Sequence, residues 1–172
     1  MKKVFSTPFA MLLCMAMAVT FTACNPEETI DEDERALAFL CDGTAIANGS
    51  TYTSSKLDEA YTAMCMTRFV PGIDLVGDTD GKVVVIVESL NKAMVEMCTF
   101  GGCKMTLPHL DYTATASGDI SANTSLPLDI HYTPTETSSE GHRAEALVTA
   151  YYEGYEANAI SFTLVMTNVK VE

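Results

Sequence analysis

The amino-acid sequence predicts an all-β protein that folds as an antiparallel β-sandwich of seven to nine short strands. From Arg35 onward, apolar residues recur mainly with a period of two, which is the pattern of strands that bury one face. The strand-like segments follow one another every 8–12 residues, with turn residues between them. Helical periodicity is scarce, and only residues 56–64 are expected to form a turn or two of helix.

The candidate strands follow one another along the chain from residue 37. Residues 45–47 and 51–53 are expected to pair as a hairpin across Asn48-Gly49, because both residues of this dipeptide readily adopt the positive φ of a two-residue turn. The candidate segments are 37–41, 45–47, 51–53, 63–69, 83–87, 93–99, 110–116, 126–132, 144–152 and 161–167.

The alternation within three of these segments predicts which side chains face the core. In 126–132, apolar residues alternate with Asp129 and His131, which are therefore expected to point outward. In 161–167, apolar residues alternate with Ser and Thr in the same way. Residues 83–87 are continuously apolar and β-branched, which is typical of a central strand covered on both faces.

The first 23 residues have the features of an export signal. Lys2 and Lys3 form a basic start, and an apolar stretch follows. The unbroken apolar run at 9–23 is about 15 residues, short of the roughly 20 that a helix needs to span a bilayer. We therefore expect residues 1–23 to be a signal peptide.

The end of this leader carries a lipid-attachment pattern. Phe21-Thr22-Ala23-Cys24 resembles the lipobox that signal peptidase II cleaves in bacterial lipoproteins, although Phe replaces the usual Leu. The resemblance implies that Cys24 becomes the lipidated N-terminus and anchors the protein in a membrane, where each buried methylene contributes roughly 0.8 kcal/mol. The alternative is an ordinary secretory signal, with Cys24 as a structural cysteine.

Residues 24–34 are expected to form an extended acidic tether. Six of the ten residues from Asn25 to Glu34 are Asp or Glu, and none is basic, so the segment repels itself. It resembles the acidic export signals that follow the lipidated Cys of Bacteroidetes surface lipoproteins. This resemblance implies an outer-membrane protein displayed at the cell surface, and a plain solvated spacer is the alternative.

Residues 35–172 are expected to form one domain. From Leu128 a strand ends at Pro134, a polar loop runs to Gly141, and two further strands follow. This succession resembles the last three strands of bacterial immunoglobulin-like modules related to the ASPM/SPD-2/hydin group, over about 40 residues. The resemblance implies an immunoglobulin-like sandwich, and a small barrel is the alternative.

Four cysteines of this domain are expected to form disulfides, since an exported chain reaches an oxidising compartment. Cys98 and Cys103 enclose a Gly-Gly turn and are expected to pair, which leaves Cys41 and Cys65 as partners. Metal binding by Cys98, Cys103 and His109 lacks a convincing fourth ligand, so no metal or cofactor is predicted.

Composition and motifs argue against two classes of function. Lys and Arg number 10 and Asp and Glu 23, a net charge of −13, so no basic stripe is available for nucleic acid. The sequence lacks His-Glu-x-x-His and Gly-x-Ser-x-Gly motifs. Histidines 109, 131 and 142 are expected to be solvated, and residues 77–81 to be a hairpin turn rather than a calcium loop.

Tyr151, Tyr152 and Tyr155 form the one aromatic cluster. One of the first two is expected in the core and the other exposed, where it could stack on a sugar or anchor a partner. The sequence thus favours a non-catalytic, lipid-anchored envelope module that engages a glycan or another envelope protein. The alternatives are a small hydrolase using Asp/Glu, a thiol oxidoreductase using Cys98 and Cys103, and a fimbrial-type subunit that exchanges strands.

Overall fold

The computed structural model describes residues 35–107, 109–134 and 141–169. The predicted signal peptide (1–23), Cys24 and the predicted tether (24–34) lie outside these ranges. In the described ranges, no helix has the length and apolar character required to cross a membrane.

Twelve strands make up most of the described chain, and several are shorter than five residues. Within the described ranges, the helical elements are α1 at Glu59–Ala63 and one 3-10 turn at Glu156–Asn158. The strands are β1 Leu37–Cys41, β2 Thr44–Ile46, β3 Thr51–Ser54, β4 Ile73–Gly77, β5 Gly81–Ser89, β6 Val95–Thr99, β7 Gly102–Met105, β8 Thr113–Ile120, β9 Leu126–Pro127, β10 Asp129–Tyr132, β11 Arg143–Tyr152 and β12 Ile160–Thr167.

One layer is a five-stranded sheet in the order β3-β12-β11-β5-β8. Its neighbours are antiparallel except β3, which runs parallel to β12. In β5, Val83, Val85 and Val87 are fully buried, while Val84 and Ile86 are only partly covered. Strand β5 is therefore central, as predicted, but only one of its faces is closed off from solvent.

The other layer joins the strand groups β2-β1-β4-β9 and β10-β6-β7. Strands β9 and β10 are separated by Leu128 alone, whose N–H donates to the Ile73 carbonyl at 2.8 Å. Phe69 and Tyr132 exchange two further backbone bonds, of 2.9 and 3.2 Å. Residues 69–77 and 126–132 thus run side by side, and the layer is continuous from β2 to β7.

The core lies between the layers, where alternate residues from both meet. The Phe39 and Phe162 rings pack edge to face with centroids 4.8 Å apart. Each fully buried large side chain contributes about 1.5–3 kcal/mol to folding. The largest are Tyr152, Phe39, Phe69, Phe162, Ile73, Leu75, Met97, Leu128, Ile130, Leu164 and Met166.

The predicted hairpin across Asn48-Gly49 is wrong in its pairing. The chain does turn there, with the Ser50 N–H donating to the Ala47 carbonyl. However, β2 pairs with β1, and β3 pairs with β12. The Asn48 side chain accepts from the Ser161 N–H and fastens the turn to β12, so the turn separates strands of different layers.

The predicted strand at 63–69 is also wrong. Helix α1 lies within the expected 56–64 segment and is capped by Asp58, whose Oδ1 accepts from two backbone N–H groups. Cys65 then takes a left-handed backbone with φ of 59°. The chain forms an irregular crossing until Phe69. The described ranges contain twelve strands because β4 and β7 were not predicted and the predicted strand at 126–132 is divided into β9 and β10.

Candidate functional site

The outer face of β6, β7 and β10 collects side chains that carry chemistry. Residues two apart on a strand share a face. The register places Glu96 opposite His131, and it places Cys98 between Asp129 on one side and Cys103 on the other. We call this set the outer-face cluster: Glu96, Cys98, Cys103, Asp129 and His131.

The predicted Cys98–Cys103 disulfide is present. Along an antiparallel pair of strands, residue pairs that exchange backbone hydrogen bonds alternate with pairs that do not. Because the Thr106 N–H donates to the Val95 carbonyl, Cys98 and Cys103 form a pair without backbone hydrogen bonds to each other. Side chains approach most closely at such pairs. Positive φ values at Phe100 and Gly101 turn the chain between them.

The expected Cys41–Cys65 bridge is not formed, and both cysteines are free. Cys41 is buried in β1, with its Sγ 2.9 Å from the Tyr52 hydroxyl, whereas Cys65 is exposed after α1. The hydrogen bond with Cys41, followed by burial, raises the pKa of Tyr52 to about 12. Assigning these two cysteines to each other by elimination was therefore wrong.

His131 points away from the core, as the alternation predicts, but the expectation that it is solvated is wrong. Its side chain is only 4 % exposed. Because Phe69 pairs with Tyr132, the preceding residue Arg68 lies beside His131, and its guanidinium group covers the imidazole ring. The irregular crossing that follows α1 therefore covers a residue that the strand pattern leaves outside.

The ring nitrogens of His131 have competing partners. Nε2 lies 2.7 Å from Arg68 Nη2 and 2.7 Å from Glu96 Oε2, while Nδ1 lies 3.3 Å from the Asp129 carbonyl and 3.5 Å from Asp129 Oδ1. An arginine N–H only donates and an ionised carboxylate only accepts. Nε2 can therefore accept from Arg68 or donate to Glu96, but not both. Arg68 also lies over the Tyr61 ring at 4.7 Å.

The other two histidines lie apart from this cluster. His109 is exposed and has a left-handed φ of 69°, and His142 is half-buried in the segment before β11. Among the described residues, the groups with ligand atoms close enough to share a metal are Glu96–Cys98–Cys103 and Cys98–Asp129–His131. The histidine near the cysteine pair is thus His131 and not His109.

Residues 78–80 connect β4 to β5, but these two strands belong to different layers, so the predicted hairpin turn at 77–81 is wrong. Asp78 Oδ1 accepts from the Ala36 N–H at 2.9 Å and from the Thr79 hydroxyl at 2.7 Å. Asp80 Oδ1 accepts from the Ala122 N–H at 2.7 Å. These carboxylates hold the chain around the turn, which is a common use of Asp in turns.

The three candidate ligand-surface tyrosines do not form one aromatic platform. Tyr152 is buried, and its hydroxyl donates to the Thr79 carbonyl at 2.8 Å. Tyr151 is half-buried on the opposite face of β11, in line with the expected alternation. Tyr155 lies under Arg35, whose guanidinium carbon is 4.7 Å from its ring centroid.

A groove of about 270 Å³ lies between the edge strands of the two layers. Phe100 packs against Gly118 so closely that a Cβ there would overlap the ring. Lys104 provides a cationic group in the wall. We call this feature the β7–β8 groove; it is lined by Thr99, Phe100, Gly102, Lys104, Thr115, Ala116 and Ser117.

Strand β8 borders the groove with a regular row of outward backbone groups. The Ser89 N–H donates to the Tyr112 carbonyl, at the position just before β8 begins. Hydrogen-bonded pairs recur at every second residue of an antiparallel ladder, so the even-numbered residues of β8 are the ones that hydrogen-bond to β5. The N–H and C=O groups of Thr115, Ser117 and Asp119 therefore point away from β5. In the described ranges, no strand pairs with β8 on the side that faces away from β5.

Comparisons with known proteins identify the fold. No family model matches the chain, and no curated protein matches it. The solved N-terminal domain of PorA is similar, with a TM-score of 0.53 at 13% identity, covering 77% of this chain and 96% of that one. PapD-like domain 7 of human CEP192 reaches a TM-score of 0.38 at 13% identity, covering 91% and 99%. The PorA likeness concerns fold alone, and the predicted fold class, an all-β immunoglobulin-like sandwich, is confirmed.

Proposed function

We propose that this protein is a non-catalytic, lipid-anchored module of the cell envelope that captures an extended segment of a partner protein along β8. The observation that carries the proposal is the row of outward backbone groups at Thr115, Ser117 and Asp119. A peptide that pairs with an open sheet edge gains affinity from main-chain hydrogen bonds, and pockets for alternate side chains give specificity.

Strand β8 is the edge strand best suited to pairing with a partner, because it is long and unprotected. It has eight residues, against three in β2 and four each in β3 and β7. Edge strands are usually protected by short length, proline, lysine or bulges. The segment 113–120 contains neither proline nor lysine and is regularly paired with β5 along its whole length.

The β7–β8 groove supplies the side-chain contacts that an incoming strand would need. Phe100 and Ala116 give it an apolar wall, and Lys104 places a positive charge at its border. The groove is large enough for one or two side chains. We therefore propose a partner segment with an apolar residue for the groove and an acidic residue beside Lys104.

A protein partner is favoured over a glycan because of where the tyrosines lie. Sugar binding by stacking needs an accessible aromatic face. Tyr152 is buried and Tyr155 is covered by Arg35, which leaves Tyr151 as a half-buried ring apart from them. A glycan remains the second candidate only through Tyr151, and loss of binding in Tyr151→Ala would favour it.

The edge proposal is tested by photocrosslinking in intact cells. A photoreactive residue at 115 should give a defined adduct, whereas the same residue at Thr149, on the central strand β11 of the same sheet, should give none. Ser117→Pro should abolish the adduct, because proline lacks the N–H that would bond to the partner strand. This N–H points away from β5, so the pairing between β5 and β8 should be retained. Ser117→Ala is the matched control and should retain it.

Two outcomes would contradict edge binding. One is equal adduct formation from positions 115 and 149. The other is an unchanged adduct in Ser117→Pro when circular dichroism shows a folded sandwich. A thiol oxidoreductase, in contrast, would lose its function in Cys98→Ser/Cys103→Ser, a variant that should still give the adduct at 115 under our proposal.

Membrane attachment is proposed to occur through lipid on Cys24, with the outer membrane as the location. Cells fed an alkyne-labelled palmitate should label the wild-type protein and not Cys24→Ala. Labelling that persists in Cys24→Ala would contradict this anchor. Protease applied to intact cells then distinguishes surface display from a periplasmic orientation, since a protein facing the periplasm is fully protected.

A further inference from the structure

We propose that reduction of the Cys98–Cys103 disulfide converts the outer-face cluster into a binding site for a zinc ion. The ligands would be the two released thiolates, His131 and Asp129. This inference is independent of the proposed capture of a partner at β8. It rests on side chains that three neighbouring strands bring together on one face.

The ligand atoms are already close to one another. Cys98 Sγ, an Asp129 carboxylate oxygen and a His131 ring nitrogen all lie within 4.8 Å of each other. Cys103 is bonded to Cys98, with the two Cα atoms 4.0 Å apart. A tetrahedral zinc ion binds Cys sulfur at about 2.3 Å and therefore holds two sulfurs about 3.8 Å apart. Rotation about the Cα–Cβ bonds provides such a separation without moving the strands.

The donor set matches the chemistry of zinc. Zinc sites in proteins combine Cys sulfur, His nitrogen and carboxylate oxygen in fourfold coordination. The sequence alone offered Cys98, Cys103 and the distant His109, and it lacked a fourth ligand. The sheet register replaces His109 with His131 and adds Asp129 from the same strand.

Glu96 and Arg68 supply the surroundings that such a site needs. Glu96 Oε2 is 2.7 Å from His131 Nε2, while Asp129 Oδ1 lies on the Nδ1 side at 3.5 Å. A histidine that binds metal through one nitrogen commonly donates its other N–H to a carboxylate, which orients the ring. The positive charge of Arg68 offsets part of the negative charge of two thiolates and two carboxylates.

The site is also accessible. His131 forms its buried floor, whereas Cys103 is exposed and the Asp129 side chain is 49 % exposed. A metal ion would therefore enter from the solvent side, past Cys103 and Asp129. The disulfide is the group that keeps the sulfurs from acting as thiolate ligands, so its redox state controls the site.

The reaction balances with an external dithiol as reductant. Thiol–disulfide exchange breaks the Cys98–Cys103 bond, and the dithiol closes to its own cyclic disulfide, leaving two protein thiols. Binding of one zinc ion then displaces the two thiol protons to solvent and forms two zinc–sulfur bonds. In the reverse direction, exchange with the cyclic disulfide of the same reagent re-forms the Cys98–Cys103 bond, returns the reagent to its dithiol form and releases the zinc ion.

Cobalt titration tests the proposal directly. The full-length protein is reduced with dithiothreitol, desalted under nitrogen and titrated with Co²⁺, which reports thiolate ligands through an intense charge-transfer absorption band. We expect one equivalent to bind the reduced protein, with displacement by Zn²⁺, and no such band from the oxidised protein. Reduced Cys98→Ser/Cys103→Ser, which keeps Cys41 and Cys65, should show no band.

Three carboxylate variants keep the test independent of folding defects. Asp129→Asn should weaken binding strongly, while Glu88→Gln, which neutralises an exposed carboxylate on β5, should leave it unchanged. Glu96→Gln should weaken binding by about 10–100-fold through the loss of ring orientation. The proposal is overturned if reduced wild-type protein gives no charge-transfer band, or if the double-serine variant gives the same band as the wild type.

Discussion

Strands β6 and β10 present two chemically different faces to their surroundings. The inner face is mainly apolar and packs against the opposite sheet; its fully buried residues are Val95 and Met97 of β6 and Ile130 of β10. The outer face carries a disulfide, two carboxylates and a buried imidazole. The inner face stabilises the fold through burial, whereas the outer face holds polar groups in fixed positions through hydrogen bonds and a covalent bridge.

This difference shows that burial has two separate origins in the same pair of strands. Met97 is buried because regular alternation directs it into the sandwich. His131 points to the other side and is buried because the irregular crossing that ends at Phe69 brings Arg68 over it. Substitutions on the two faces should therefore differ in both magnitude and mechanism.

The largest effect is expected on the inner face. Met97→Ala should lower the free energy of unfolding by about 2–5 kcal/mol, because it removes buried methylenes and leaves a cavity. Met105 on the neighbouring strand β7 is 41 % exposed and is the matched control. Met105→Ala should stay within about 0.5 kcal/mol of the wild type. Urea unfolding measures both, and equal losses would show that the face assignment is wrong.

The disulfide of the outer face should give the next largest effect. Cys98→Ser/Cys103→Ser should cost about 2 kcal/mol, as the chain-entropy model gives for so short a loop. Cys65→Ser should change the stability by less than about 0.5 kcal/mol because this thiol is free and exposed. A comparable loss in Cys65→Ser would indicate that Cys65 is in fact bridged.

Non-reduced tryptic mapping checks the same assignment. Cys98 and Cys103 fall in one tryptic peptide, between Lys92 and Lys104. This peptide should be lighter by two hydrogen atoms before reduction than after it. A cross-linked pair of peptides carrying Cys41 and Cys65 would contradict the two free thiols.

The buried imidazole should contribute somewhat less than the disulfide. His131→Ala removes the shared partner of Glu96 and Arg68, and we expect a loss of about 1.5 kcal/mol in the free energy of unfolding. His109→Ala, at an exposed position, should stay within about 0.5 kcal/mol of the wild type. If both variants unfold at the wild-type urea concentration, the covering of His131 by Arg68 is not a stabilising contact.

Local patterns predicted the core well, because a strand's own alternation determines which residues face inward. The apolar positions of β12, Phe162 and Leu164, are buried as expected. The Cys98–Cys103 bridge was predictable as well, since both cysteines belong to one short hairpin. In each case the deciding information lies within a few residues of the feature itself.

The remaining features depend on contacts between distant segments. Asn48-Gly49 does form a turn, but the partner of β3 is β12, more than a hundred residues further along. The Cys41 thiol meets Tyr52 rather than Cys65 because β1 directs it inward. The outer-face cluster depends on the register between β6 and β10, which no pattern within either strand specifies.

An open β8 edge is the feature on which the proposed function depends most directly, and amide hydrogen exchange followed by NMR measures it residue by residue. In the free protein, the amides of Ala116 and Gly118 should exchange slowly because they bond to β5, and those of Ser117 and Asp119 should exchange fast. Equal, strong protection of all four amides would show that the edge is already covered and would contradict partner capture at β8.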